Sequence, residues 1–415
     1  MNFWGIAMTY PEYIKKCIAL LERGGFLAYV VGGAVRDGLL GRQAHDWDVA
    51  TSARPEQIMA VFEGFRTIPT GIKHGTVTVL LDEENGSAVP VEITTFRIDG
   101  EYLDNRRPSE VIFAPSVEDD LSRRDFTVNA MAYNEKEGLV DCFSGKADLE
   151  ERLIRCVGEP EVRYSEDALR ILRAFRFAAQ LDFEIEERTL AATSSCAHLL
   201  KNIARERIGV EFLKLIASDG ARYALEALVK TGVFSALFDF VPTPDKEAIE
   251  NVLKLEGGDP FARLAALILS YGEEKRHEFI GSLRLSNDQK RLVLRLCGAA
   301  VFELPEDAAE RERSARRFLA LYNNICESAL EMLCALSRGD LSDLEAFADT
   351  VRAEKEKGRC LQLSSLAVSG ADILPLCADD PSRVGKILSL LLADVIDEPS
   401  HNDRDHLIQL EKKLI

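Results

Sequence analysis

No window of this 415-residue chain approaches the ~20 uninterrupted apolar residues that a membrane-spanning helix requires. Met1 to Tyr10 lacks a basic segment followed by an apolar core, so no secretory leader is expected. No Cys-x-x-Cys pair occurs. The nine cysteines, an odd number scattered from Cys17 to Cys377, fit reduced and mostly buried thiols in a cytoplasmic protein better than a disulfide framework. No cysteine or histidine cluster has the spacing of a zinc site, and His401 and His406 read as surface residues. Positive charge is in short supply: 51 Lys and Arg against 69 Asp and Glu leave a net −18. That balance opposes non-specific nucleic-acid binding, although a local basic surface can coexist with an acidic remainder. No Ser-His-Asp or Cys-His arrangement occurs, and His45 beside Asp46 has no second His/Asp set, so a phosphohydrolase metal domain is not expected.

What remains is a chain 47% hydrophobic and 29% charged, ordinary for a globular protein and long enough for two to four packed units. Up to about residue 150 the pattern is mixed. Leu27–Val31 is an apolar run ending in Gly32-Gly33, a strand followed by a turn. Thr76–Leu81 and Val89–Phe96 alternate and are rich in β-branched residues, with Asn85-Gly86 between them as a hairpin signal. Beyond residue 150 helical periodicity dominates, as in Glu166–Leu181, Arg205–Ala217 and Lys290–Val301.

The chemistry concentrates early. Gly32-Gly33-Ala34-Val35-Arg36-Asp37 leads into Asp46-Trp47-Asp48. On a strand, the period of two puts Asp46 and Asp48 on one face. Two such carboxylates repel unless a cation lies between them, and magnesium prefers these oxygen donors while leaving room for phosphates. The glycine pair suits close backbone approach to a phosphate, and Arg36 in the following helix lies within reach of triphosphate oxygens. It is not a P-loop, because no Gly-Lys-Ser/Thr follows.

This segment resembles motif A of the class II tRNA nucleotidyltransferases, the CCA-adding enzymes with their bacterial poly(A) polymerase relatives. The resemblance continues in order. Glu92, in Val91-Glu92-Ile93-Thr94-Thr95, falls at the family's third carboxylate. Arg123-Arg124-Asp125-Phe126-Thr127-Val128-Asn129-Ala130 is similar to motif B, Asp141-Cys142-Phe143-Ser144-Gly145 to motif C, Glu166-Asp167-Ala168-Leu169-Arg170 to motif D, and Arg205-Glu206-Arg207-Ile208 with Glu211 to motif E. It implies an α+β fold: a polymerase β-like nucleotidyltransferase head with a small mixed or antiparallel sheet, then an all-α neck, body and tail. The expected bounds are 1–152 for the head, 153–225 for a neck that recognises the base, 226–320 for the body and 321–415 for a tRNA-binding tail.

The implied activity is addition of C, C and A to the tRNA 3′ end from CTP and ATP, with no nucleic-acid template and with release of pyrophosphate. Asp46, Asp48 and Glu92 are the implied catalytic residues, with Asp46 and Asp48 as ligands of Mg2+. Gly32, Gly33, Arg36, Arg124, Asp125, Asn129, Asp167, Arg170, Arg173 and Arg176 are the implied nucleotide-binding residues. Within that set, Asp125 would accept a bond from the ribose 2′-hydroxyl. The motif D helix, expected to open at Ser165 and run to about Leu181, would act in place of a template. Cytosine and adenine both present an amino donor beside a ring-nitrogen acceptor, matching an Asp acceptor and an Arg donor, here Asp167 and Arg170. Uracil and guanine present the reverse and would leave buried polar groups unpaired, at ~1–3 kcal/mol each. Arg173 and Arg176 would hold phosphates or orient that pair.

Arg97 to Phe113 resembles the flexible loop of CCA- and A-adding members. Lys201, Arg205, Arg207, Lys214, Arg313, Arg316 and Arg317 are candidate phosphate contacts for tRNA. No membrane association or protein partner is evident. Competing readings are a poly(A) polymerase, an A-adding enzyme, and a catalytically silent tRNA-binding module. Thr70-Gly71-Ile72-Lys73-His74-Gly75-Thr76 looks like the CCA-adding type rather than the more basic polymerase segment.

Overall fold

The computed structural model describes residues 8–44, 46–82, 87–100, 111–305, 307, 310–337, 339–377 and 380–414. The chain divides into two compact units, one of residues 1–244 with 277–284, the other of residues 245–276 with 285–415.

The first unit is built on a seven-stranded sheet. Its strands are β1 (Ala28–Val31), β2 (Asp48–Thr51), β3 (Thr67–Gly71), β4 (Thr76–Asp82), β5 (Ala88–Thr95), β8 (Ala132–Asn134) and β9 (Gly138–Val140). The order is β3-β4-β5-β2-β1-β8-β9. All pairings are antiparallel except β2 with β5, which run parallel and set Asp48 opposite Glu92. Two short strands, β6 (Arg97–Asp99) and β7 (Val111–Phe113), form a separate ribbon, and β10 (Leu153–Ile154) pairs with β11 (Glu184–Ile185). The expected hairpin turn at Asn85-Gly86 lies outside the described residues, as does the centre of the expected loop, with Tyr102, Asp104, Arg106, Arg107 and Pro108.

The alternation seen in the sequence is the burial pattern. In β4, Val77, Val79 and Leu81 are buried, and in β5 Val91, Ile93 and Thr95 are buried while Glu92 faces out. One core packs Tyr29, Val31, Ala50, Phe96 and Ala132 against Val117 and Leu121 of helix Val117–Ser122. Helix Glu12–Arg23 buries Ile14, Cys17, Ile18 and Leu21, the i, i+3, i+4, i+7 stripe of an amphipathic helix. In order, the helices of this region are α1 (Glu12–Arg23), α2 (Gly33–Leu39), α3 (Pro55–Val61), α4 (Val117–Ser122), α5 (Gly145–Glu150), α6 (Pro160–Glu166), α7 (Leu169–Leu181), α8 (Glu187–Cys196) and α9 (Arg205–Ile216).

The single helix expected from Ser165 to Leu181 is two. Chain direction changes at Asp167, whose backbone is extended (φ −135°, ψ 102°). Ser165 does not cap; it lies inside α6, where its hydroxyl donates to the Val162 carbonyl. The Asp167 carboxylate instead accepts from the Leu169 amide at 3.1 Å, a cap two residues later than expected. Among its described residues the second unit contains helices and connecting loops but no strand.

Candidate active site

Strand β1 ends where Gly32 takes φ 70° and ψ −128°, a conformation open to glycine but strained for other residues, and α2 starts at once. The Gly32 amide donates to the Met131 carbonyl, which ties this turn to the segment preceding β8. A Cβ on Gly32 would stand 2.8 Å from an Arg124 Nη, so the guanidinium lies directly over the turn.

Asp48 opens β2 and Glu92 sits beside it on β5 at the same level. Asp46 is two residues earlier, and all three side chains are exposed. Protein packed around the Asp48 carboxyl desolvates it and raises it above its usual range; Arg124 opposes this, while Glu92 and Asp46 push it further up. Asp48 therefore feels both other carboxylates and the Arg124 guanidinium. Their oxygens do not all lie within 4.8 Å of one another. Mutually repelling carboxylates facing solvent, with oxygen donors alone, fit a hard divalent cation.

Beside the carboxylates lies an arginine-rich wall. Arg36 donates to the Asn129 side-chain oxygen at 2.7 Å and to Asp37. Arg124 is held by Asp120 at 3.2 Å, and its buried Nε has no protein acceptor. Asp120, fully buried, also pairs with Arg123 at 2.7 Å. Desolvation would raise its carboxyl, but the two arginines outweigh that and hold it low. Asp120 is not among the residues that the sequence motifs mark. Its i, i+3 and i+4 relation to Arg123 and Arg124 was the available signal.

Asp125 is buried and bound to Arg173 at 2.6 Å and to the Phe126 amide at 2.9 Å. Burial raises its carboxyl, yet Arg173 and Arg170, with these hydrogen bonds, bring it down to about 2. Arg176 pairs with Glu211 of α9 at 2.7 Å, and Arg173 approaches the same carboxylate at 3.8 Å. The guanidiniums of Arg36, Arg173 and Arg176 surround the Phe177 ring at 5.5, 5.2 and 3.6 Å. Phe126 meets that ring edge-on at 5.8 Å, which fastens the segment before β8 to α7.

The structure thus brings together Gly32, Gly33, Arg36, Asp46, Asp48, Glu92, Arg124, Asp125 and Asn129 around the central strands β5, β2 and β1, with Arg173 and Arg176 beside Asp125. Asp167 and Arg170 do not pair with each other. Asp167 is clamped by Arg207 at 2.8 Å, and Arg170 donates to Glu166 at 2.7 Å and to the Arg123 carbonyl at 2.9 Å. Arg207, one of the candidate phosphate contacts, is therefore committed to Asp167. Arg316 and Arg317 are likewise committed: Arg316 is buried on the Ile396 and Asp397 carbonyls, and Arg317 binds the Asp397 carboxylate at 2.6 Å. These three serve local structure here, a role that helical spacing alone does not separate from solvent exposure.

The chain is similar to known proteins over nearly its whole length. Residues 28–155 match the Poly A polymerase head domain, and residues 182–244 match the probable RNA and SrmB-binding site of polymerase A. A CCA-adding enzyme of Streptococcus mutans is 35% identical over 416 residues, covering 98% of each chain. One of Streptococcus gordonii is 41% identical over 315 residues, covering 74% of this chain and 75% of its own. The crystal structure of the Bacillus stearothermophilus CCA-adding enzyme in complex with CTP superposes with a TM-score of 0.76 at 30% identity, covering 97% of this chain and 98% of the other. A chain with relatives of this kind along nearly its whole length belongs to the CCA-adding enzyme family of nucleotidyltransferases.

Proposed function

We propose that this chain adds C, C and A in turn to the 3′ end of tRNA, taking CTP and ATP and releasing pyrophosphate. The observation that carries the reading is the parallel register of β2 and β5, which stands Glu92 beside Asp48 next to the Gly32 turn and Arg124. Asp46 and Asp48 would hold Mg2+, which supplies charge neutralisation at the α-phosphate and a lower pKa for the attacking hydroxyl. Glu92 orients that hydroxyl. Arg124 and Arg36, over the glycine turn, bind the triphosphate, and the acceptor-less Nε of Arg124 supports that role. Asp125, with Asn129 at 3.4 Å, faces the ribose.

Asp167 and Arg170 read the amino group and ring nitrogen of the base, exchanging Arg207 and Glu166 for it. Arg173 and Arg176, locked by Asp125 and Glu211, fix the position of α7 and orient the pair. The helical remainder holds the acceptor stem. Head, neck, body and tail follow the bounds given by the resemblance, and the reaction takes place in the cytoplasm. Among the described residues no helix is long and apolar enough to cross a membrane.

The test offers purified protein tRNA transcripts ending before CCA, after the first C and after the second C, with CTP and ATP supplied separately. The expected outcome is CTP incorporation on the first two and ATP incorporation on the third. Extension of the third substrate alone identifies an A-adding enzyme. Long ATP-only tails on all three identify a poly(A) polymerase, and no transfer overturns the reading.

A further inference from the structure

The described residues hold one cluster of three metal-ligating side chains, and it lies in the second unit, far along the sequence from the carboxylates of β2 and β5. Helix Val384–Asp397 presents Asp394 one turn before its end. A short 3-10 turn, Pro399–His401, then delivers His401, and the next helix, Arg404–Leu414, delivers His406 in its first turn. Their ligand atoms all lie within 4.8 Å of one another. His401 Nδ1 is 2.9 Å and His406 Nε2 3.6 Å from the same Asp394 oxygen. The two rings stack, with centroids 4.2 Å apart and planes 23° from parallel, so their in-plane lone pairs run side by side, and a small turn of the half-exposed rings is needed for both to meet one ion.

From this geometry we propose that Asp394, His401 and His406 form a binding site for a borderline divalent transition cation, with zinc as its natural representative. Tetrahedral zinc with bonds of ~2.0–2.1 Å needs ligand atoms ~3.3 Å apart, and the two nitrogen-to-oxygen separations straddle that value. Two imidazole nitrogens with one carboxylate are a three-ligand set that leaves the fourth position to water. All three side chains are half-exposed, so an ion reaches them from solvent.

The scaffold is set before any ion arrives. Asp403 accepts from the amides of Asp405 and His406, each at 3.0 Å, and caps the last helix. Asn402 is tied to the Ala367 amide and the Ser365 carbonyl at 2.8 and 3.1 Å, and the Glu398 side chain closes the 3-10 turn on Ser400. Below the cluster, Leu391 and Val395 pack with Leu407. An ion on these three ligands clamps the chain's last described helix to the one before it. Sequence spacing hid the site, because its ligands come from three consecutive elements joined by a corner rather than from one helix or one knuckle.

The test strips the full-length protein with a chelator and titrates it with Co2+, whose visible band is intense in a tetrahedral nitrogen-containing site and weak in an octahedral all-oxygen one such as Asp46 and Asp48 would give. One equivalent of intense band, displaced by Zn2+, is expected. His401→Gln and His406→Gln should each weaken binding about tenfold or more. Absence of the band in the unmodified protein, or its survival in the double variant, overturns the proposal. A second readout needs no variant: equimolar Zn2+ should slow diethylpyrocarbonate modification of His401 and His406 but not of His74. Equal slowing at all three, or none, overturns it as well.

Discussion

Asp48 is the residue on which stability and activity pull apart. Its folded carboxyl lies above its ordinary value, so the folded state binds the proton more tightly than the unfolded state does, and stability falls as pH rises through that range. At neutral pH the ionised group therefore works against folding. Asp48→Asn should raise the melting temperature of the metal-free protein at pH 7 while reducing transfer by at least about a thousandfold, measured by calorimetry and by radiolabelled CTP incorporation. A melting temperature below that of the parent would show that the carboxylate has a stabilising partner. The D-x-D spacing marked Asp46 and Asp48 as a pair, although β2 begins only at Asp48 and Asp46 precedes the strand. It could not say that Glu92, 44 residues after Asp48, would stand beside Asp48, because cross-strand neighbours are chosen by tertiary pairing. Asp120 stayed hidden for a related reason: burial turned an ordinary acidic helix residue into a support of the arginine wall.

Elements decide the next level. The unit of β1, the Gly32 turn and α2 is readable in the sequence because an apolar run followed by two glycines has few other solutions. The division between α6 and α7 is not. Ser165 to Leu169 contains no glycine or proline, and local propensity favours an unbroken helix. The break holds because Asp167 gains the Leu169 amide and the Arg207 guanidinium there, a tertiary reward that overrides propensity. The glycine turn offers a sharp test. Gly32→Ala puts a Cβ 2.8 Å from Arg124 at positive φ, so the backbone is strained and the guanidinium is displaced. The expected loss is about 1–3 kcal/mol of stability, read by urea unfolding, together with a raised KM for CTP. An unchanged KM would remove Arg124 from the triphosphate site.

For the whole molecule, the net charge of −18 gave little guidance to function, since the site's arginines form a local wall inside an acidic chain. The fold class was legible because a change from alternating to helical periodicity spans hundreds of residues. Acid should attack the first unit through Asp125. Its folded carboxyl lies at about 2, below an ordinary 3.8, so its contribution is complete above about pH 4 and disappears as the pH falls through about 2. The size is about 2 kcal/mol. Asp125→Asn should thus be clearly less stable than the parent at pH 7, and the gap should narrow on acidification, as followed by denaturant midpoints. A gap that stays constant to pH ~2 would mean that the ion pair with Arg173 contributes no pH-linked stability.

The seven-pair ladder between β4 and β5, from Thr76 opposite Thr94 to Asp82 opposite Ala88, has a consequence for how variants are read. That ladder holds β5 in place, while the parallel pairing of β5 with β2 sets Glu92 level with Asp48. Because side chains alternate, a slip of one position would turn Glu92 into the core and Ile93 toward the reacting groups. A packing defect at Val79 or Val91 is therefore a catalytic lesion transmitted by register, and an assay would record a lost carboxylate in a protein whose carboxylates are all present.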